Sequence, residues 1–241
     1  MSRPELTARE RLAFALDYPG LEQARRGAIE VAPHAGVLKV GLELFIRAGA
    51  DAVNLGREHG ARVFLDLKLH DIPETVARAV DSALELGVSY LTVHAQGGTR
   101  MLSEAAKRTA GTELTLLAVT VLTSLDDADL QSLGVTASSS DHALRLARLA
   151  YDAGVRGFVC SSAEVGRLRE ALGTDALFVT PGIRPENAAA GDQKRVGTPR
   201  QAIAAGADIL VVGRPIRDAE SPATAAAALQ REIAEATRVA Q

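Results

Sequence analysis

The run Asp66, Leu67, Lys68, Leu69, His70, Asp71 places a carboxylate, an ammonium and a second carboxylate close together, directly before Ile72, Pro73, Glu74 and Thr75. Residues 63–69 alternate as a strand does, with Val63, Leu65, Leu67 and Leu69 on one face and Phe64, Asp66 and Lys68 on the other. Asp66 and Lys68 are therefore expected side by side. In a parallel sheet covered on both faces, such charges are costly to desolvate unless they pair with each other and with further partners. A pair of this kind either ties a strand to its neighbours or holds charge ready for chemistry. Pro73 suits the first turn of a helix, so the segment reads as strand, tight charged turn, helix.

The elements that must position these groups recur along the chain. Apolar, strand-like runs lie near 12–17, 37–42, 63–69, 90–94, 114–122, 157–161, 177–180 and 209–212. Helical spacing follows each of them, at 21–31, 44–59, 73–86, 100–109, 142–153, 163–172, 199–205 and 223–237. Gly49, Gly87, Gly154 and Gly206 fit helix C-caps. Eight such units, at about 30 residues each, predict one (β/α)8 (TIM) barrel forming a single domain over residues 1–241. A doubly wound open sheet would carry a glycine-rich fingerprint after its first strand, and the first strand here ends Leu16, Asp17, Tyr18, Pro19, Gly20 instead.

Active sites of such barrels lie at the C-terminal ends of the strands, and these ends are polar. Asp17 ends strand 1, Lys39 interrupts strand 2, Asp66, Lys68 and Asp71 end strand 3, His94 ends strand 4, and Thr123 and Ser124 end strand 5. Taken singly, Asp17 also fits a turn or N-cap, Lys39 a snorkelling edge residue and His94 a hydrogen-bonded core histidine. No catalytic role is assigned to His94. Strand 7 ends in Thr180, Pro181, Gly182, Ile183, Arg184 and strand 8 in Gly213, Arg214, Pro215. Loops at those two positions commonly form a phosphate site, to which Arg184 and Arg214 add bidentate donors.

A net charge of -3 with 3% aromatic residues supplies neither a basic stripe nor a stacking platform, which excludes nucleic acid as the expected partner. The single cysteine, Cys160, excludes an intrachain disulfide and a thiolate metal cluster, and its apolar setting reads as core. The polar start of the chain and the lack of a long apolar run predict a cytoplasmic protein without a membrane segment.

Together these motifs resemble the orotidine 5′-phosphate decarboxylase family. The resemblance covers nearly the whole chain: Phe14 to Asp17, the isolated Lys39, Asp66-x-Lys68-x-x-Asp71-Ile72-Pro73-x-Thr75, Thr92 to Ala95, Val121 to Ser124, Thr180 to Pro185, Gly191-Asp192-Gln193 and Val211 to Ile216. It implies a decarboxylase that needs no cofactor or metal and converts the nucleotide orotidine 5′-phosphate to UMP. Lys39, Asp66, Lys68 and Asp71 match the family's charged catalytic array, Lys68 being the proton donor and Asp71 reaching in from the partner subunit of a homodimer. Asp17, Lys39 and Thr75 match ribose contacts, the last again from the partner. Thr123 matches the pyrimidine contact with Pro181 beside it, and Arg184, Gln193, Gly213 and Arg214 match phosphate ligands. Two other readings remain: a Mg2+-dependent phosphosugar decarboxylase or aldolase of the same superfamily, which Lys39 in place of an acid disfavours, and a non-catalytic nucleotide-binding barrel, which gains nothing from a costly charged array.

Overall fold

Alternating strands and amphipathic helices bury their apolar faces by packing on one another, and a computed structural model shows how this chain does so. It describes residues 5–185 and 197–240. Strands β1 (Leu12–Ala15), β2 (Val37–Gly41), β3 (Arg62–Leu69), β4 (Tyr90–His94), β5 (Thr115–Val119), β6 (Gly157–Val159), β7 (Leu177–Thr180) and β8 (Ile209–Val212) pair in parallel in chain order, and β8 closes on β1. The helices are α1 (Leu21–Val31), α2 (Leu42–Ala48), α3 (Ala50–Glu58), α4 (Pro73–Glu85), α5 (Gly98–Thr109), α6 (Asp127–Ser132), α7 (Ser139–Asp152), α8 (Ser162–Leu172), α9 (Pro199–Ala204), α10 (Arg214–Arg217) and α11 (Pro222–Ala240). This is the expected (β/α)8 barrel.

Strand alternation divides the core in two. Outward residues such as Phe14, Phe158 and Phe178 pack beneath the helices, while Ala13, Val37, Phe64, Tyr90, Leu117, Leu177 and Ile209 fill the barrel interior. The interior is therefore plugged by side chains, and the polar strand ends sit above the plug.

Three local departures from the sequence expectation have physical causes. The helix expected over 44–59 is two helices, because Gly49 takes φ +52°, outside the helical region. The short helices α6 and α10 fall below the length at which apolar periodicity registers; α6 is fixed instead by a reciprocal cap between Asp126 and Asp129. Most consequential is β3, where strict alternation fails. Phe64 pairs with Tyr90 and Leu65 with Leu91, but the next matched pair is Leu69 with Val93. Asp66, Leu67 and Lys68 thus stand opposite Thr92 alone, and Lys68 takes φ +51°, a strained conformation for a side chain of this size.

The far face of the barrel is held by side-chain clamps of a different kind. Arg169, near the end of α8, donates to the carbonyls of Gly173, Ala176 and Gly206 and to Asp208 Oδ2 at 2.7 Å, joining α8 to the starts of β7 and β8. Asp208 Oδ2 also accepts from the Phe178 N–H at 2.7 Å. Arg169→Ala is expected to lower unfolding free energy by about 2–4 kcal/mol in a denaturant titration while leaving kcat within about twofold, because stability and catalysis occupy opposite ends of the barrel.

Candidate active site

At the C-terminal mouth, β1, β2 and β3 bring four charges into alternation. Lys39 Nζ lies 3.1 Å from Asp17 Oδ1 and 3.7 Å from Asp66 Oδ2, and Lys68 Nζ lies 2.9 Å from Asp66 Oδ1. Asp66 is opposite Gly41 in the β2–β3 ladder, so the absent side chain at Gly41 matters. A Cβ there would stand 3.1 Å from Lys39 Nζ and 3.2 Å from Asp17 Oδ1, tight against both members of the pair. Burial pushes the Asp66 carboxyl up. The Lys39 and Lys68 ammoniums, with hydrogen bonds from Lys68 and Thr92, outweigh that and hold it below the usual carboxylate value.

Thr92 takes part in this arrangement twice. Its Oγ1 accepts from the Lys68 N–H at 2.8 Å and donates to Asp66 Oδ1 at 3.0 Å. Just beyond, the His94 and His70 rings stack with centroids 5.3 Å apart. Burial, then the His70 and Lys68 charges, press His94 below its usual pKa, which favours the neutral ring. No further role is assigned to it.

The array forms one wall of a cavity of about 470 Å³, within the roughly 300–1,000 Å³ of small-molecule sites. Asp17, Lys39, Asp66 and Lys68 line it on one side; Thr123 and Pro181 line it too, as do Arg184, Gly213 and Arg214 from the ends of β7 and β8. Arg184 is almost wholly buried, and its Nε has no hydrogen-bond partner among the described residues. A buried guanidinium with a donor unused is suited to an anion. Cys160 is buried as expected, and it also lines the cavity.

Nine of the expected site residues are thus brought together, and two of the described ones are not. Asp71 and Thr75 are exposed outside the cavity, and Asp71 Oδ1 accepts from the neighbouring Ile72 N–H at 2.6 Å. Gln193 lies outside the described residues, as does the 191–195 stretch that surrounds it. Sequence reasoning quoted Thr92 within a motif but gave it no role, and passed over Gly41 and Arg217, whose Nη1 donates to the Asp17 carbonyl at 2.8 Å. The available signals were a hydroxyl two positions before His94 in an apolar strand and an arginine one turn beyond strand 8. Among the described residues no group of three or more His, Cys, Asp or Glu is placed to hold a metal ion, and no helix is long and apolar enough to cross a membrane.

The model of the orotidine 5′-phosphate decarboxylase / HUMPS family matches residues 10–229. The chain belongs to that family. Orotidine 5′-phosphate decarboxylase from Anaeromyxobacter sp. (strain K) is 53% identical over 220 residues, spanning 91% of this chain and 96% of that protein. The enzyme of the same name from Thermobifida fusca is 52% identical over 225 residues, spanning 92% and 95%. Among solved structures, orotidine 5′-phosphate decarboxylase from Lactobacillus acidophilus superposes with a TM-score of 0.81 at 38% identity, covering 93% of this chain and 99% of that one. Membership of the orotidine 5′-phosphate decarboxylase family fits a cavity with an alternating charge array on one wall and two arginines on another.

The direction of the Asp66 shift gives a pH prediction. A carboxyl whose folded pKa is depressed contributes stability that is present above its unfolded value, near 3.9, and is lost as pH falls through the lower folded value. Carboxyl 13C NMR is expected to show Asp66 titrating below an unperturbed aspartate, and Lys39→Met should move that midpoint upward. A midpoint at or above the ordinary value in the wild type would contradict the array.

Proposed function

We propose that this protein decarboxylates orotidine 5′-phosphate to UMP, in pyrimidine biosynthesis, without a cofactor and with Lys68 as the group that stabilises and protonates the reacting carbon. The observation that carries the mechanism is Lys68 Nζ held 2.9 Å from an ionised, nearly buried Asp66 in the wall of the cavity. Breaking the bond between C6 and the carboxylate releases CO2 and leaves an electron pair on C6 in the plane of the pyrimidine ring. No adjacent group delocalises that pair, so its stabilisation falls to the protein. A fixed ammonium beside C6 supplies it, and then donates the proton that completes UMP; solvent restores the lysine proton. In water a unit charge pair at 4 Å is worth only about 1 kcal/mol, and a preorganised site with little water strengthens the interaction severalfold.

Asp66 holds the Lys68 ammonium in place, and Lys39 compensates the second oxygen of Asp66. Asp17 and Lys39 are the ribose contacts of this reading, Thr123 and Pro181 the pyrimidine contacts, and Arg184, Gly213 and Arg214 the phosphate contacts, with Gln193 joining them. Binding energy from the phosphate, remote from the bond that breaks, is then available to lower the barrier at C6. An ammonium at position 39 opposes a divalent cation at Asp66, which argues against the metal-dependent reading.

The protein acts as a single-domain subunit of a cytoplasmic homodimer in which Asp71 and Thr75 complete the partner's site. Both are exposed and neither lines its own cavity, and apolar side chains are exposed after the ends of neighbouring strands: Ile72 beside Asp71 after β3, and Leu42 and Ile46 on α2, which follows β2 directly. An isologous interface would cover those apolar groups and carry each Asp71 across.

Two measurements test these statements. Spectrophotometric assay of orotidine 5′-phosphate is expected to show wild-type turnover unchanged by EDTA and a loss of at least about 1,000-fold in Lys68→Ala, with UMP still bound. Substantial turnover by Lys68→Ala would sink the mechanism. Co-refolding two inactive variants, Lys39→Ala and Asp71→Asn, tests the dimer. Random pairing makes about half the dimers mixed, each with one intact site of two, so activity should return to roughly a quarter of wild type. If Asp71 serves its own chain, every site carries a defect and no activity returns.

A further inference from the structure

We infer that Thr92 is a positioning residue for the reaction, the single hydroxyl that locks the irregular backbone of β3 and the catalytic ion pair into one geometry. The inference rests on the proposed role of Lys68. It begins from the strand register: Asp66, Leu67 and Lys68 face one residue of β4, so the backbone of Lys68 loses the ladder partner that a regular strand would provide. A buried N–H left without an acceptor is destabilising. Thr92 Oγ1 is that acceptor, at 2.8 Å. The same oxygen spends its one proton on Asp66 Oδ1, at 3.0 Å, and that carboxylate oxygen also receives the Lys68 ammonium at 2.9 Å.

The result is a closed circuit: Lys68 N–H to Thr92 Oγ1, Thr92 O–H to Asp66 Oδ1, and Lys68 Nζ–H back to the same Asp66 Oδ1. It fixes both ends of the lysine, the backbone in its φ +51° conformation and the ammonium at the tip. A left-handed backbone in a non-glycine residue persists only where its surroundings over-determine it, and the ring of bonds supplies that determination. Thr92 suits the task because it is fully buried on the inward face of β4, two positions above Tyr90, and no solvent competes for its hydroxyl. A threonine Oγ1 has one proton to give and lone pairs to accept with, and both capacities are used. Valine would keep the shape and lose both bonds.

The test compares Thr92→Val, Thr92→Ser and Lys68→Ala for turnover of orotidine 5′-phosphate. Thr92→Val is expected to lower kcat by about 10- to 100-fold, the effect of one or two hydrogen bonds to charged or buried groups, with KM changed less than about threefold. Thr92→Ser should recover most of the loss. Because Asp66 is faced by Lys39 from β2, by Lys68 from its own strand and by the Thr92 hydroxyl from β4, removing the hydroxyl leaves it easier to protonate. The acid limb of the kcat profile should therefore move upward by about half a pH unit or more in Thr92→Val and return in Thr92→Ser. Should Thr92→Val fail to fold, Thr92→Ala against Thr92→Ser makes the same comparison, since both lack the methyl and only one lacks the hydroxyl. An active Lys68→Ala would overturn the underlying mechanism. An inactive Lys68→Ala beside a valine or alanine variant with wild-type kcat and pH profile would overturn the role of Thr92 alone.

Discussion

One carboxylate between two ammoniums governs the structure of this site. Asp66 stands 2.9 Å from Lys68 and 3.7 Å from Lys39, at the end of a strand whose other inward side chains plug the barrel. Left alone there, its carboxyl would be harder to ionise, because burial favours the uncharged acid. Two cations and a threonine hydroxyl keep it ionised, and in turn it keeps Lys68 from wandering. Each partner's position depends on the others, so the array behaves as a unit and not as a sum of pairs.

The backbone is shaped around that unit. Gly41 leaves the space that the Lys39–Asp17 pair occupies, and the irregular register of β3 gives Lys68 an unusual backbone angle that turns its side chain back along Asp66. Such features lower stability locally, and the barrel supplies stability elsewhere, in its two apolar cores and in clamps such as Arg169 at the opposite end. Separating the two tasks lets the mouth of the barrel carry charge and strain without loosening the fold.

Much of this was legible in the sequence because it follows from periodicity. Apolar runs located all eight strands, and the glycines after the helices marked their ends: Gly49, Gly87, Gly154 and Gly206 all have positive φ. Most of the polar residues at the strand ends fell into one cavity, with Asp71, His94 and Ser124 outside it, because barrel geometry sends all such ends to the same face. What alternation could not show was its own interruption. A strict two-residue repeat placed Asp66 and Lys68 together for the right reason of proximity, but missed that Lys68 arrives by a bulge, and with it missed Thr92, whose value lies in pairing with an irregular neighbour. Arg217 was hidden likewise, since a bond to the Asp17 backbone across 200 positions leaves no local signature.

In the proposed mechanism Lys68 stabilises charge at C6 and exchanges a proton with that carbon. The reverse of the protonation step tests it without any loss of CO2. 5-Fluorouridine 5′-phosphate, in which the fluorine acidifies the C6–H bond, can be held with the enzyme in D2O and followed by 1H NMR. The wild-type protein is expected to replace the C6 hydrogen with deuterium, and Lys68→Ala, although it binds the nucleotide, is expected not to. Equal exchange in both proteins, or none in the wild type, would contradict that mechanism.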